Sequence, residues 1–234
     1  MIKMAHLRSF LYTIPLCLIA SGLLICGAFL TATEDGVRMQ EALFRWWARC
    51  ILRICRVQLR VRGLDNLQTD LNYVFASNHA SLLDVPVLIA AIPNNFRFLV
   101  KYRFIPVVEL FLHQTGQIPV RRANAAETSR SLEEAAGIFT NQSLSLLVFP
   151  EGARSDSGLL EFRDDAAFLS ITSGRSLVPV RILGTGDVLP KNSTIIRGGL
   201  VHVHIGGPIL TTSLDRNGPK ALTNDLRDHI AALA

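Results

Sequence analysis

Short apolar runs alternate with longer stretches of helical periodicity from residue 57 to the end of the chain. The runs are rich in Val, Ile, Leu and Phe, which is typical of buried strands. Repetition of strand, helix and strand predicts an α/β fold with a largely parallel, helix-covered sheet. The predicted strands are Val57–Val61, Tyr73–Ser77, Phe96–Lys101, Gln117–Arg121, Leu144–Phe149, Leu177–Leu183 and Leu200–Ile205. The predicted helices are Leu82–Ala91, Phe104–Thr115, Ala125–Asn141 with Asn124 as its N-cap, Phe162–Ser173 and Lys220–Leu233.

The first part of the chain has a different pattern. No Lys, Arg, Asp or Glu occurs from Ser9 to Thr33, and the apolar run 10–31 is long enough to cross a bilayer as a helix. A cleaved signal peptide is the alternative, which Lys3 and Arg8 suit, but the run is too long for one and an A-x-A site is missing. We therefore expect a membrane anchor.

A second helix is predicted over residues 37–56, where arginines recur at helical spacing and apolar residues occupy the other faces. This pattern is typical of an interfacial helix whose arginines meet lipid phosphates, with Trp46 and Trp47 at headgroup level. A helix packed on the following domain is the alternative, and both can hold at once. The expected organisation is an anchor over 1–56 and an α/β domain over 57–234. The arginines are Arg38, Arg45, Arg49, Arg53 and Arg56.

Arginine after the apolar run places the rest of the chain on the cytoplasmic side, at the inner membrane if the source is a bacterium. The formal charge of +5 suits an anionic partner. The 49% apolar content, with basic residues not grouped around aromatic ones, favours a membrane over a nucleic acid. The cysteines lack metal-ligand spacing and indicate buried thiols in a reducing compartment. They are Cys17, Cys26, Cys50 and Cys55.

The first chemical motif runs from Asn78 to Asp84. His79 lies five positions before Asp84, so an imidazole general base has a carboxylate that can orient it. Ser81 is the expected N-cap of the following helix. The alternative is that Ser81 and Asp84 form a capping box and that His79 is a surface turn residue.

Two further motifs carry arginines at predicted strand ends, where ligands of parallel sheets collect. Gly116 to Arg122 ends in Arg121 and Arg122, and Phe149 to Ser155 contains Arg154. The planar guanidinium suits a phosphate because it donates two hydrogen bonds at once. Solvated arginines, and a surface ion pair between Glu151 and Arg154, are the alternatives.

Two other kinds of site are disfavoured. No serine lies in a Gly-x-Ser-x-Gly elbow, which argues against a serine hydrolase. His202 and His204 alternate along a strand and share one face; a solvated face is favoured there over a two-histidine metal site.

The order, spacing and identity of the motifs resemble the glycerolipid acyltransferase family, particularly its 1-acylglycerol-3-phosphate acyltransferases. The resemblance covers about Val57 to Ile209. The Asn-His-x-Ser-x-x-Asp block is matched completely, the Phe-Pro-Glu-Gly-Thr-Arg-Ser block is matched except at Ala153, and the Val-Pro-Val strand is matched at 178–180.

The resemblance implies acyl transfer at the membrane bilayer from acyl-CoA or acyl carrier protein to the sn-2 hydroxyl of lysophosphatidic acid, giving phosphatidic acid. It implies no cofactor, no metal and no nucleic-acid partner. His79 would be the base and Asp84 its orienting group. Arg122 and Arg154 would bind the phosphate, in a pocket shaped by Glu151 and Gly152, with Asn78, Ser81, Arg121 and Ser155 as possible additional site residues.

The chain departs from the family in three places that bear on the acceptor. The second block usually ends in Asp-Arg but here ends in two arginines. After Phe162 the family prefers Lys-x-Gly, whereas this chain has Asp164 and Asp165, which would oppose a phosphate unless they point away. A common Lys-x-Glu stretch is here Lys101-Tyr102-Arg103. Another acceptor, such as a lyso-ornithine lipid or a lysophospholipid, is therefore the alternative substrate. A non-catalytic membrane scaffold is the competing class, which the presence of His79 counts against.

Overall fold

The computed structural model describes residues 7, 11, 13–19, 21–22, 37–102, 112, 115–121, 124–141, 144–211 and 218–233. Seven strands form one sheet: β1 (Val57–Arg62), β2 (Val74–Ser77), β3 (Phe96–Tyr102), β4 (Ile118–Arg121), β5 (Ser145–Val148), β6 (Leu177–Leu183) and β7 (Gly199–Ile205). Their order across the sheet is β1-β7-β6-β2-β5-β3-β4. All neighbouring strands are parallel except β6 and β7. The predicted α/β class and largely parallel sheet are confirmed.

Helices cover both faces of the sheet, and the core has two layers. The helices are α1 (Val37–Ile54), α2 (Asp84–Ala91), α3 (Ala125–Asn141), α4 (Asp165–Ser173), the single turn α5 (Thr185–Val188) and α6 (Gly218–Ala232). α1 and α2 pack on one face, whereas α3, α4 and α6 pack on the other. Phe75 and Val74 of β2 belong to opposite layers because successive strand residues point to opposite faces.

The chain reverses direction between β6 and β7. Gly184 follows β6 with a φ of 92°, and a Cβ there would lie 2.5 Å from the carbonyl oxygen of Leu200. Only α5 and an irregular stretch join the two strands, so the connection lacks the long helix of a parallel crossover. β7 then pairs in parallel with β1, which is the edge strand.

Three helix starts test the predicted capping. Asn124 is confirmed as a cap of α3, because its Oδ1 accepts the N–H of Glu127 at 2.8 Å. The prediction of Ser81 as N-cap of α2 is wrong: the cap residue is Leu83. α4 begins at Asp165 instead of Phe162, whose ring is buried. The predicted helix Phe104–Thr115 lies almost entirely outside the described residues.

The predicted anchor 10–31 also lies largely outside the described residues, although 14–19 are helical. Across the described ranges, no helix is both long and apolar enough to span a membrane. This segment contacts α1: the Sγ atoms of Cys17 and Cys55 are 3.8 Å apart, and Trp47 Nε1 donates to Ser21 Oγ at 3.4 Å.

α1 packs on the α/β domain with one face and exposes arginines on another, so both arrangements expected from its sequence are present. Ala48 and Ile51 are buried against the domain, while Arg49, Arg53 and Arg56 are exposed. For Arg45 the expected lipid contact is wrong. Its guanidinium donates to four carbonyl oxygens at the end of α2, where the carbonyls lack helical partners. The acceptors are Ile89 (3.3 Å), Ile92 (2.8 Å), Pro93 (2.6 Å) and Asn94 (3.3 Å).

We expect Arg45→Leu to lower the free energy of unfolding by about 1.5–3 kcal/mol, because it removes charged hydrogen bonds to carbonyls that have no other partner. Arg49→Leu is the matched control, since Arg49 is exposed and makes no hydrogen bond to a described residue; its effect should stay within about 0.5 kcal/mol. Urea denaturation in detergent measures both. Equal losses would contradict the assigned role of Arg45.

Candidate active site

Two of the three motifs meet at one edge of the sheet. His79 follows β2 and Glu151 follows β5, and these strands are parallel neighbours. Their carboxyl ends therefore lie side by side, where α/β proteins bind ligands. Asp84 reaches the same place from the first residue of α2.

The imidazole of His79 is held by a fully buried carboxylate. His79 Nδ1 lies 2.7 Å from Asp84 Oδ2, which also accepts the N–H groups of Ala80 at 2.7 Å and Ser81 at 2.9 Å. With Nδ1 assigned as the donor to the carboxylate, Nε2 carries the lone pair and is the nitrogen left for a substrate. Asp84 thus binds two backbone N–H groups of the turn before α2 and orients His79 as well.

The ring and backbone of His79 are also fixed. The ring stacks on Phe149, with 4.1 Å between centroids and 17° between planes. Glu151 Oε1 accepts the N–H of His79 at 2.8 Å, and its Oε2 accepts the N–H of Leu160 at 2.9 Å. Glu151 is only 5% exposed. The alternative of a surface ion pair with Arg154 is therefore wrong.

Three other predicted residues hold the backbone around His79. The Asn78 amide donates to the carbonyl of Ile182 at 3.0 Å and accepts its N–H at 2.7 Å, which continues the pairing of β2 with β6. Ser81 Oγ donates to the Leu189 carbonyl at 2.7 Å. The Ser155 N–H donates to the carbonyl of His79 at 2.8 Å. All three side chains are buried.

Of the three predicted arginines, the structure describes Arg121 and Arg154. Arg154 is half-buried and has no hydrogen bond or ion pair to any residue within the described ranges. It follows Gly152, whose φ of 64° turns the chain beside His79. Arg121 ends β4, three strands from β2, or about 14 Å across the sheet. Arg122 lies outside the described residues.

An ion pair that the sequence did not predict involves one of the two acidic residues, Asp164 and Asp165, at which the chain departs from the family pattern. Lys101, on β3, pairs with Asp165 at the start of α4, and both side chains are about nine-tenths buried. Asp165 is thereby neutralised and does not oppose an anion. The available signal was a single lysine within the apolar run of β3. Asp164 keeps one buried oxygen, Oδ1, without a partner in the described structure.

An apolar cavity of about 600 Å³ extends from His79 and Gly152 along β3. It reaches the other end of the strand at Asn95 and Arg97, about 17 Å away. Burial lowers the pKa of the Arg97 guanidinium, and Glu41 partly offsets this. A base beside such a cavity can serve a substrate with a long hydrocarbon chain. Most of the lining is apolar: Phe44, Trp47, Val85, Ile89, Phe96, Phe98, Leu99, Val100, Leu112, Val148 and Phe149.

No group of three or more His, Cys, Asp or Glu side chains that could hold a metal occurs in the part of the chain that the structure describes. Within the described residues the site comprises a histidine–carboxylate pair, an arginine without a described partner and an apolar cavity. These parts suit the transfer of an acyl group.

Comparison with known proteins gives the family. The acyltransferase family model matches residues 58–183, and the chain belongs to this family. A chloroplastic 1-acyl-sn-glycerol-3-phosphate acyltransferase of Arabidopsis thaliana is 30% identical over 74% of this chain and 48% of its own length. The enzyme of that name from Borreliella burgdorferi is 25% identical over 82% of this chain and 78% of its own. The resemblance drawn from the motifs is confirmed.

Two further relatives bear on substrate and fold. A lyso-ornithine lipid O-acyltransferase of Pseudomonas aeruginosa is 27% identical over 78% of this chain and 75% of its own. The crystal structure of PlsC, the 1-acyl-sn-glycerophosphate acyltransferase of Thermotoga maritima, has a TM-score of 0.79 at 23% identity, covering 97% of this chain and 94% of that one. This likeness shows the shared fold. The chain spans about half the length of the plant chloroplast relatives it matches.

Proposed function

We propose that this protein transfers a fatty acyl group from acyl-CoA or acyl carrier protein to the sn-2 hydroxyl of 1-acylglycerol-3-phosphate, giving phosphatidic acid. The observation that carries the proposal is the His79–Asp84 pair at the end of an apolar cavity of about 600 Å³. The names of the relatives from Arabidopsis thaliana and Borreliella burgdorferi support the acceptor.

In the proposed mechanism His79 is the general base. Its Nε2 removes the proton of the acceptor hydroxyl while Asp84 stabilises the imidazolium. The hydroxyl oxygen attacks the thioester carbonyl carbon, and the carbon–sulfur bond breaks as the tetrahedral intermediate collapses. The imidazolium then returns its proton to the departing thiolate. Donors aimed at the oxyanion would stabilise the intermediate, and backbone N–H groups of the adjoining turns are the candidates.

The substrate groups fit the surroundings of His79. The cavity walls at Phe98, Ile89 and Trp47 can bury a hydrocarbon chain, at about 0.8 kcal/mol for each buried CH₂. Arg154, which has no described partner, is our candidate for the acceptor phosphate. Glu151 acts as a positioning residue because both of its oxygens hold backbone N–H groups. A phosphate role for Arg122 stays a prediction.

We propose that the enzyme works at the cytoplasmic face of a membrane. Leu16, Leu18 and Ile19 are exposed on the helical stretch that contacts α1. On α1 itself, Trp46 is 49% exposed and is followed by the exposed Arg49 and Arg53. Apolar residues next to arginines suit the boundary between acyl chains and lipid phosphates.

A different lysolipid is the second candidate acceptor. The lyso-ornithine lipid acyltransferase matches this chain over most of its length. The chain also has Asp165 where the Lys-x-Gly pattern of the family has glycine. An acceptor without phosphate would not need Arg154. A membrane scaffold without catalysis is the remaining candidate, and any turnover by the purified protein would exclude it.

We expect His79→Ala to lower turnover by about 10²- to 10⁴-fold, because the general base is lost. Asp84→Asn should leave a trace of activity, since an amide can still contact the ring but does not support its charge. Radiolabelled acyl transfer to lysophosphatidic acid measures both, and circular dichroism checks folding. Near-normal turnover by folded His79→Ala protein would rule out the mechanism.

We expect Arg154→Ala to raise the KM for lysophosphatidic acid about ten- to a hundred-fold, because it removes a charge-assisted contact of about 1.5–3 kcal/mol. Arg122→Ala is expected to act in the same direction. The KM for the acyl donor should change less. Kinetics with a phosphate-free lysolipid are the control, and equal losses on both acceptors would mean that the arginines are structural.

We expect removal of residues 1–33 to release much of the protein from membranes while leaving salt-sensitive binding to anionic vesicles through α1. Electrostatic contacts with lipid weaken as salt screens them. Sedimentation with vesicles between low and high salt measures this, and Arg49→Gln with Arg53→Gln should abolish the remainder. If vesicle binding by the truncated protein does not change with salt concentration, the protein inserts into the bilayer instead of making an electrostatic contact.

A further inference from the structure

One face of the sheet edge formed by β1, β7 and β6 is basic. Arg60 pairs in register with His202, and Arg62 pairs with His204. His204 also pairs with Arg181 of β6. Directly opposed residues of neighbouring strands point to the same face, so these five side chains form one surface, which we call the basic face.

Nothing in these strands neutralises the basic face. β1, β6 and β7 contain no Asp or Glu. The side chains of Arg60 and Arg62 are exposed, and neither makes a hydrogen bond or ion pair with a residue that the structure describes. The neighbouring Leu200 is 42% exposed. The outer part of the face, at Arg60 and Arg62, is therefore exposed and cationic, with an apolar side chain beside the charges.

α6 covers only the inner border of this face. Arg181 Nη1 donates to the Ile230 carbonyl at 3.0 Å, and His204 Nδ1 lies 3.3 Å from the Leu233 carbonyl. His204 Nε2 and Arg181 Nε are buried and have no partner within the described ranges. The carbonyl end of a helix attracts cations, but no carboxylate pairs with this cluster in the described structure.

The basic face points away from the surface that we propose meets the membrane. Val203 and Ile205, which alternate with the histidines along β7, pack in the core layer of α1 and α2. α1 carries Trp46 and contacts the segment with Leu18 and Ile19. The basic face is on the other side of the sheet, so one flat bilayer does not reach both surfaces.

The basic face borders the candidate active site. Leu183, at the end of β6, pairs with His202. Its neighbour Ile182 exchanges two hydrogen bonds with Asn78, the residue before His79. A partner seated on the basic face would therefore stand at the sheet edge where His79 lies. The face is three strands wide, about 10 Å from β1 to β6.

We propose that the basic face docks an acidic carrier protein that presents the acyl thioester, an inference that rests on the proposed function. A thioester donor arrives from water while the lipid acceptor arrives from the bilayer, so the two need separate approaches. The exposed arginines Arg60 and Arg62 suit an acidic protein surface, because charge complementarity steers association. Acyl-CoA is anionic too but much smaller than a protein, so we expect the face to matter more for a carrier-bound donor.

The test compares two donors that carry the same acyl chain. In the full-length protein, Arg60→Glu with Arg62→Glu should lower kcat/KM about tenfold or more with the acyl carrier protein and less than twofold with acyl-CoA. Raising the salt concentration should weaken wild-type use of the carrier alone. Arg130→Glu is the control for charge, since Arg130 is exposed on α3 near the opposite edge strand, β4.

Three results would overturn the docking surface: equal losses with both donors, an equal loss in Arg130→Glu, or unchanged use of the carrier by the double variant. Loss of binding to anionic vesicles with unchanged use of the carrier would assign the face to a bilayer and also overturn it. Calorimetric binding of the carrier without its acyl group needs no turnover. Binding that weakens in the double variant supports docking even if lysophosphatidic acid proves not to be the acceptor.

Discussion

The site depends on the hydrogen bonds that the buried carboxylate of Asp84 accepts. One oxygen accepts three hydrogen bonds, from the ring of His79 and from the N–H groups of Ala80 and Ser81. A fully buried charge is tolerated only when hydrogen bonds compensate it. Oδ2 makes all of them here, since Oδ1 is buried without a partner in the described structure. The turn between β2 and α2 is therefore shaped around this group, and the imidazole is one of its three hydrogen-bond partners. The orientation of the His79 ring and the local fold depend on the same atoms.

Glu151 extends the same arrangement to the neighbouring strand. Its two oxygens bind the backbone N–H groups of His79 and Leu160, so the turns after β2 and β5 are joined by one buried side chain. Asn78 does the equivalent toward β6 through its two bonds with Ile182. His79 is thus fixed from both neighbouring strands, which limits the motion of the ring before any substrate binds.

The sequence predicted those parts of the fold that depend on local pattern. Apolar runs gave every strand within two residues of its observed bounds, because central strands such as β5 are buried on both faces. The five-position spacing of His79 and Asp84 also predicted that the carboxylate would contact the imidazole. Long-range pairings were not predictable: Arg45 meets carbonyls on α2, and Lys101 meets Asp165 only after the sheet forms. The helix period of α1 looks the same whether an arginine faces lipid or a helix end. The reversal at Gly184 depends on its close approach to Leu200, which lies beyond local sequence.

The place of β1 has a consequence for how the chain folds. β1 begins just after α1, yet it pairs only with β7, where Val57 is opposite Gly199. During synthesis β1 leaves the ribosome before every other described strand, whereas its sheet partner β7 emerges after all of them. Closing so long a loop is slow, and an unpaired edge strand is prone to wrong pairing until it closes. Arg60 and Arg62, whose charges discourage pairing with another strand, would protect β1 during this interval.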